Sequence, residues 1–277
     1  MLRASRLLPG GLAALVTALV PVPGMAHDMW LRPSAFGPFA GPVSVALWVG
    51  HGDDRGPAPR DDSRIERFAV LSASGNESAV PGVDGTHPAG ILRRLPADAV
   101  AVVFVSDEAR SVLPAAAFDA YLAEEGLERV IEARRATGAT GQEGRESYSR
   151  SLKALLTPDG GLPADRETGI PLELRILDLV EQGASEYGLR VRLEFRSQPL
   201  EDALVDLEPL DPVPATPPRE GRTDARGTVA FTVGPGVWKL AAVHMVPSSQ
   251  PDADWRSFWA TTTFALPSRP APEAGRP

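Results

Sequence analysis

Short runs in which apolar and polar residues alternate recur from residue 43 onwards, and they constrain the fold more than any other feature. In residues 43–49, every second side chain is apolar. This period of two is typical of a half-buried β-strand. The 28 prolines and 26 glycines interrupt the chain so often that a helical bundle is disfavoured. The pattern therefore predicts a mainly β protein.

The predicted strands fall into two groups. The first group comprises residues 43–49, 64–71, 90–94, 99–106 and 145–156. The second group comprises residues 189–195, 203–207, 219–222, 228–233, 237–246 and 258–266. Residues 223–227 (Thr-Asp-Ala-Arg-Gly) predict a hairpin turn inside the second group. The number and spacing of these strands are typical of β-sandwiches, and the second group has an immunoglobulin-like pattern.

A helical insertion and a loop over residues 159–169 separate the two groups. Residues 211–218, with four prolines, predict another loop inside the second group. Pro114 suits the first turn of a helix, residues 115–122 favour one, and Gly126 ends it. A second short helix is predicted over residues 127–137. We therefore predict two β-sandwich (immunoglobulin-like) domains, residues 27–165 with a helical insertion at about 114–137, and residues 166–267. Residues 268–277 form a Pro/Ala-rich tail that we expect to be disordered.

Residues 1–26 have the composition of a secretory signal peptide. Arg3 and Arg6 supply its positive charge, residues 12–20 its apolar centre, and Gly24-Met25-Ala26 its small-residue cleavage site. The apolar run is shorter than the ~20 residues that span a bilayer. We expect a periplasmic or secreted protein that begins at His27 and does not insert into the membrane after cleavage.

The charge and the absence of cysteine narrow the possible functions. The formal net charge of -8 makes nucleic acid a poor partner and is compatible with binding of cations. A chain without cysteine cannot build zinc–thiolate or iron–sulfur sites. Any metal ion would therefore be held by histidine, carboxylate, methionine or the terminal amine.

His27 is the first candidate ligand. If cleavage follows Ala26, His27 carries a free α-amine, and this amine and the ring Nδ1 can chelate one metal ion as a histidine brace. Such nitrogen-rich tetragonal sites favour Cu(II) or Ni(II). The alternative is that His27 is simply an exposed terminal residue.

Two further histidines are candidate partners for His27. His51 and His244 each end a predicted strand on its apolar face, and for His244 that face also carries Leu240 and Ala242. Imidazole is the commonest metal ligand in proteins. We predict His27, His244 and His51 as the metal ligands. The alternative for His51 and His244 is a buried, hydrogen-bonded histidine, and His87 is predicted to lie in an exposed turn.

Several segments resemble one known family. They are Ala26-His27-Asp28-Met29-Trp30-Leu31-Arg32-Pro33, Gly50-His51-Gly52, and residues 145–155, 169–173, 223–227, 235–245 and 255–264. They are similar to domain-of-unknown-function family 4198, whose members typically begin Ala-His-Asp-x-Trp-Leu-x-Pro. The resemblance implies an exported protein of a kind often labelled a periplasmic component of nickel or cobalt uptake. His27 and His244 match the family pattern better than His51.

These observations predict an exported protein that binds a divalent transition metal (Ni, Co or Cu) and supplies or buffers it without catalysis, with a membrane metal transporter as a possible partner. One alternative is a copper-dependent oxidoreductase that uses the same histidine brace. Another is a structural or ligand-binding β-sandwich module in which the histidines bind no metal.

Overall fold

The structure, a computed structural model, describes residues 28–51, 54–183, 186–211 and 219–268. The predicted signal peptide and His27 lie outside this range. So do the side chain of His51, most of the proline-rich loop predicted over residues 211–218, and the tail after residue 268.

The secondary structure is dominated by strands. They are β1 (Asp28–Pro33), β2 (Val43–His51), β3 (Asp54–Ala58), β4 (Ile65–Ser72), β5 (Glu77–Ala79), β6 (Gly90–Leu92), β7 (Ala99–Ser106), β8 (Ala109–Leu113), β9 (Gly144–Leu155), β10 (Leu172–Gln182), β11 (Glu186–Phe195), β12 (Gln198–Pro199), β13 (Leu204–Pro209), β14 (Arg219–Arg222), β15 (Thr228–Val233), β16 (Gly236–Pro247) and β17 (Trp255–Leu266). The helices are a 3-10 turn (Asp62–Arg64), α1 (Ala115–Glu124) and α2 (Glu128–Ala136).

A nine-stranded sheet forms the centre of the described structure. Its strand order is β14-β13-β16-β17-β9-β7-β4-β5, and β8 also pairs with β9. β17 runs parallel to β9, so that Trp255 is the partner of Glu146. This pairing joins strands from both sides of residue 165. The two predicted groups of strands therefore share one central sheet.

A four-stranded sheet covers the first face of the central sheet. It has the order β1-β2-β3, with β6 also paired to β2. Its inward side chains, such as Leu31 and Val45, pack against Val102 and Leu152 of the central sheet. The hydroxyls of two central-sheet threonines donate hydrogen bonds to backbone carbonyls of β1: Thr261 to Met29 and Thr263 to Leu31, each at 2.8 Å. These bonds fix β1 against β17.

A second four-stranded sheet covers the opposite face. It has the order β10-β11-β12, with β15 also paired to β11. Leu174 and Leu193 of this sheet pack with Trp238, Leu240 and other side chains of the central sheet. The mainly β fold with β-sandwich packing and a small helical insertion is therefore confirmed. The boundary predicted near residue 165 separates the two covering sheets, whereas the central sheet crosses it.

The helical insertion packs on the first face, beside the sheet that contains β1. Phe118 and Leu122 of α1 contact a cluster that includes Val243 and Trp259 of the central sheet. α1 and α2 confirm the helices predicted over residues 115–122 and 127–137. The first face therefore carries the end of β1 and the insertion side by side.

A buried ion triad fixes the segment between β9 and β10. The ammonium of Lys153 is inaccessible to solvent and lies 2.9 Å from Asp165 Oδ1 and 3.0 Å from Glu173 Oε1. Burial raises the pKa of Asp165, while the adjacent Lys153 opposes that rise. Residues 159–169, predicted as a loop, are thus held to the central sheet by paired charges rather than left as a free linker.

Candidate functional site

The N-terminal end of β1 meets the C-terminal end of β2. The two strands are antiparallel, and Asp28, the first residue of β1, is the partner of Gly50. His51 follows Gly50 as the last residue of β2. In the sequence, His27 directly precedes Asp28. Two of the three predicted metal ligands therefore adjoin the same end of one strand pair.

Asp28 takes part in an ion network with Lys239 of β16. The ammonium of Lys239 donates to Asp28 Oδ2 and lies 2.6 Å from Glu208 Oε1. It also lies 4.8 Å from the centroid of the Trp30 ring. Lys239 is only 2 % exposed. Burial alone would lower the pKa of Lys239, but Asp28 and Glu208 outweigh burial and raise the pKa.

Further carboxylates surround this network. Burial, reinforced by the negative charges of Glu220 and Asp28, raises the pKa of Asp206 to about 7. Burial also raises the pKa of Glu125 well above its usual range, with added repulsion from Asp28 and Asp206. We call this group the acidic cluster; it comprises Asp28, Glu125, Asp206, Glu208 and Glu220 around Lys239. The raised pKa values of Asp206 and Glu125 reduce the negative charge of these two carboxyls at neutral pH. Asp28, Glu208 and Glu220 still outnumber Lys239, so the potential near the start of β1 favours cations.

A buried polar network lies on the same face of the central sheet. The hydroxyl of Tyr121 donates to Glu146 Oε1 at 3.1 Å, and the hydroxyl of Ser257 donates to the same oxygen. Trp259 Nε1 donates to Ser257 Oγ at 3.1 Å. Glu146 is 3 % exposed. Burial raises the pKa of Glu146, and the hydrogen bonds from Ser257 and Tyr121 only partly oppose it. This network connects the helical insertion to β17 next to the residues that hold β1.

His244 lies on the opposite face of β16. It shares that face with Leu240 and Ala242, as predicted, whereas Lys239 points to the first face. The His244 ring packs on Phe195 with 4.6 Å between ring centroids. Burial, and then the charges of two nearby arginines, lower the pKa of His244 to about 4. The imidazole is therefore neutral at neutral pH.

The structure does not bring His244 to the acidic cluster. The central sheet separates it from Asp28, and the positive charges of Arg129 and Arg196 near His244 would repel a metal cation. The predicted pairing of His27 with His244 gains no support from the described residues and stays a prediction. Across these residues, no group of three His, Asp or Glu side chains is placed to hold a metal ion. A three-residue metal site would thus have to include a side chain from outside the described set.

The structure also shows where His87 and Met245 lie. His87 is exposed, as predicted for its turn. Met245, which follows His244, is buried in the core beneath the helical insertion. Lys239 was not predicted as a site residue, although a lone lysine inside an apolar strand indicates a buried ion pair. Asp206 and Glu125, for which no local signal exists, were also not predicted.

The fold and the site define a double β-sandwich protein with an acidic cluster at the start of its first strand. The chain belongs to the family described as Domain of unknown function (DUF4198), whose family model matches residues 24–246. The resemblance noted from the sequence is thereby confirmed, whereas the nickel and cobalt label stays a prediction. No curated protein matches the sequence. Within the part of the chain that the structure describes, no helix has the length and apolar character needed to cross a membrane.

Proposed function

We propose that this protein is exported and binds a divalent transition metal ion (nickel, cobalt or copper) through His27 as its N-terminal residue. The observation that carries the proposal is the register of β1 on β2, in which Asp28 is the partner of Gly50. Side chains of directly paired residues in antiparallel strands have Cβ atoms about 4.5–5.5 Å apart. If the register continues by one residue, His27 and His51 form the next pair and can share one metal ion.

The ligands then have separate roles. The α-amine and Nδ1 of His27 form the chelate, and the imidazole of His51 supplies a third nitrogen, a donor set that suits Cu(II) or Ni(II). His244 was also a predicted ligand, but its place on the other face of β16 favours His51 as the partner of His27.

The acidic cluster supports this function in two ways. Its excess negative charge raises the local concentration of cations near the start of β1. The ion pair between Asp28 and Lys239 also fixes the first described residue of β1. A terminal residue attached to a fixed strand loses less conformational entropy when it closes a chelate. The cluster thus acts around the metal site rather than as its ligand set.

The proposal is tested by calorimetric titration of Ni²⁺ and Cu²⁺ into protein that begins at His27. Adding one glycine before His27 converts the amine into a peptide nitrogen, and we expect affinity to fall by about tenfold or more. His51→Ala should also weaken binding. The matched controls are His87→Ala, at an exposed site, and His244→Ala, on the opposite face; both should bind like the parent protein. Equal affinities for the extended and unextended proteins would refute the terminal chelate.

Two related proposals have their own tests. Delivery to a membrane metal transporter predicts that the metal-loaded protein binds such a transporter more tightly than the metal-free protein does. The alternative, a copper-dependent oxidoreductase, predicts copper-dependent consumption of peroxide. Fractionation of cells that produce the full chain, followed by N-terminal sequencing, tests export and cleavage after Ala26.

A further inference from the structure

A cavity opens beside His244 near the C-terminal end of β16, and it is also lined by Val243 and Met245 from the face of the central sheet that carries the helical insertion. It has a volume of about 50 Å³ and lies between the start of α2, residues 200–203 and β16. One water molecule requires about 10–15 Å³ of cavity volume. The cavity therefore has room for a group of a few atoms, the size of a carboxylate or a phosphate.

The charges around this cavity are unevenly paired. Two of its lining carboxylates, Glu128 and Asp202, both form ion pairs with Arg222. Glu201 is a third lining carboxylate and is exposed. Arg129, by contrast, lines the cavity and forms no ion pair within 4 Å in the described part of the chain. The guanidinium of Arg129 thus remains available to an anion.

Arg196 adds a second available guanidinium. It occupies the two-residue turn between β11 and β12, with a φ of 52°, and Ser197 follows with a φ of 61°. Such turns favour asparagine and glycine, so an Arg-Ser pair is held there against its preference. The guanidinium lies 4.8 Å from the centroid of Phe195, the ring on which His244 packs. Among the described residues, Arg196 has no carboxylate partner.

His244 is the third donor. It is half-buried, and none of the hydrogen bonds found among the described residues involves its ring. Both arginines are close enough to act on its charge. Arg129 and His244 line the cavity, and Arg196 lies beside them on the Phe195 ring that His244 also contacts. No carboxylate pairs with these three donors among the described residues.

We propose that this group is an anion site, which binds a small oxyanion (a phosphate or a carboxylate) between Arg129, Arg196 and the ring N–H of His244. Guanidinium groups suit both oxyanions because their N–H donors match paired oxygens. The site is separate from the metal site and does not depend on it. The proposal gives His244 a binding role, but the ligand is an anion and not the metal cation predicted from the sequence.

The test uses metal-free protein that begins at His27 and follows the imidazole ¹⁵N resonances by NMR. Inorganic phosphate and acetate are titrated separately at constant ionic strength. We expect saturable shifts at His244 with at least one anion, while His87 does not respond. A bound anion stabilises the imidazolium, so the pKa of His244 should rise from about 4 in the presence of the ligand. Which anion saturates the shifts identifies the chemical class.

Variants separate a built site from general charge effects. Arg129→Gln and Arg196→Gln should each weaken binding by about tenfold. Arg94→Gln, at an exposed arginine in the N-terminal sandwich, is the matched control and should leave binding unchanged. Shifts at His244 that do not saturate with either anion at millimolar concentrations would overturn the proposal. Equal binding by the parent protein and both arginine variants would do the same.

Discussion

Replacing Lys239 with methionine should destabilise the folded protein strongly. Methionine has a similar length and fills the same space, so the change mainly removes the charge. Lys239 is 2 % exposed and neutralises Asp28 and Glu208. Removing one partner of a buried ion pair leaves the other charge unpaired, which typically costs about 3–5 kcal/mol.

The structure places the expected cost at the lower end of that range. The side chains of Asp28 and Glu208 are 17 % and 14 % exposed, so water can reach both. A guanidinium nitrogen of Arg55 also lies 3.9 Å from Glu208 Oε1 and partly replaces the lost charge. We therefore expect a loss of about 3 kcal/mol in the free energy of unfolding. For a chain of this size, such a loss lowers Tm by about 6–12 °C.

Urea unfolding at neutral pH, followed by circular dichroism, measures this loss. The control is the triple variant Lys239→Met, Asp28→Asn and Glu208→Gln, which removes Lys239 and both of its carboxylate partners together. It should recover most of the stability, because neutral side chains carry a much smaller cost of burial. The reasoning is refuted if Lys239→Met alone costs less than about 1 kcal/mol. It is also refuted if the triple variant is as unstable as the single one.

Two further predictions concern the same face of the central sheet. The pKa of Asp206 is about 7 in the folded protein, above its ordinary value of 3.8. The folded protein therefore binds this proton more tightly than the unfolded protein does, and the free energy of unfolding falls as the pH rises from about 3.8 to about 7. Asp206→Asn should flatten this slope in urea titrations, and an unchanged slope would contradict the assignment. Tyr121→Phe removes the hydroxyl that donates to Glu146 and should lower the free energy of unfolding by about 1.5–3 kcal/mol. Thermal unfolding can compare it with Tyr148→Phe, whose hydroxyl makes no hydrogen bond among the described residues; equal losses would count against the Glu146 network.

Many strands and both helices could be predicted because their signals are local. Residues 99–106, 219–222 and 228–233 were predicted with the bounds that β7, β14 and β15 have in the structure. Alternation of apolar side chains also placed His244 on the correct face of its strand. Each of these predictions needs only the residues of one element and the geometry of a strand or helix.

Elements whose local signals are interrupted were missed. β10 (Leu172–Gln182) contains a register shift between Ile176 and Asp178, which breaks the alternation that identifies a strand. β3 (Asp54–Ala58) is short and contains Pro57, and a proline inside a short segment normally indicates a loop or an edge rather than a strand. β1 (Asp28–Pro33) follows the predicted cleavage site directly and does not alternate in a simple way.

The candidate site was harder to predict than the fold because it depends on long-range pairing. Alternation shows which face of a strand a residue occupies, but not which sheet covers that face. Asp28, Glu125, Asp206 and Lys239 come from four distant segments and meet only because β1 and α1 lie over β13 and β16. The sequence likewise could not show that the central sheet lies between His244 and Asp28.

The position of β17 determines when the chain can become stable during synthesis. This strand lies between β16 and β9 in the centre of the sheet, although it is the last strand of the described residues in chain order. Until residues 255–266 leave the ribosome, one edge of β9 stays open, and open edges promote aggregation. The carbonyls of Met29 and Leu31 also lack their threonine donors until then. A chain that stops before residue 255 therefore lacks the strand that joins its two halves, and we expect neither half to be stable alone.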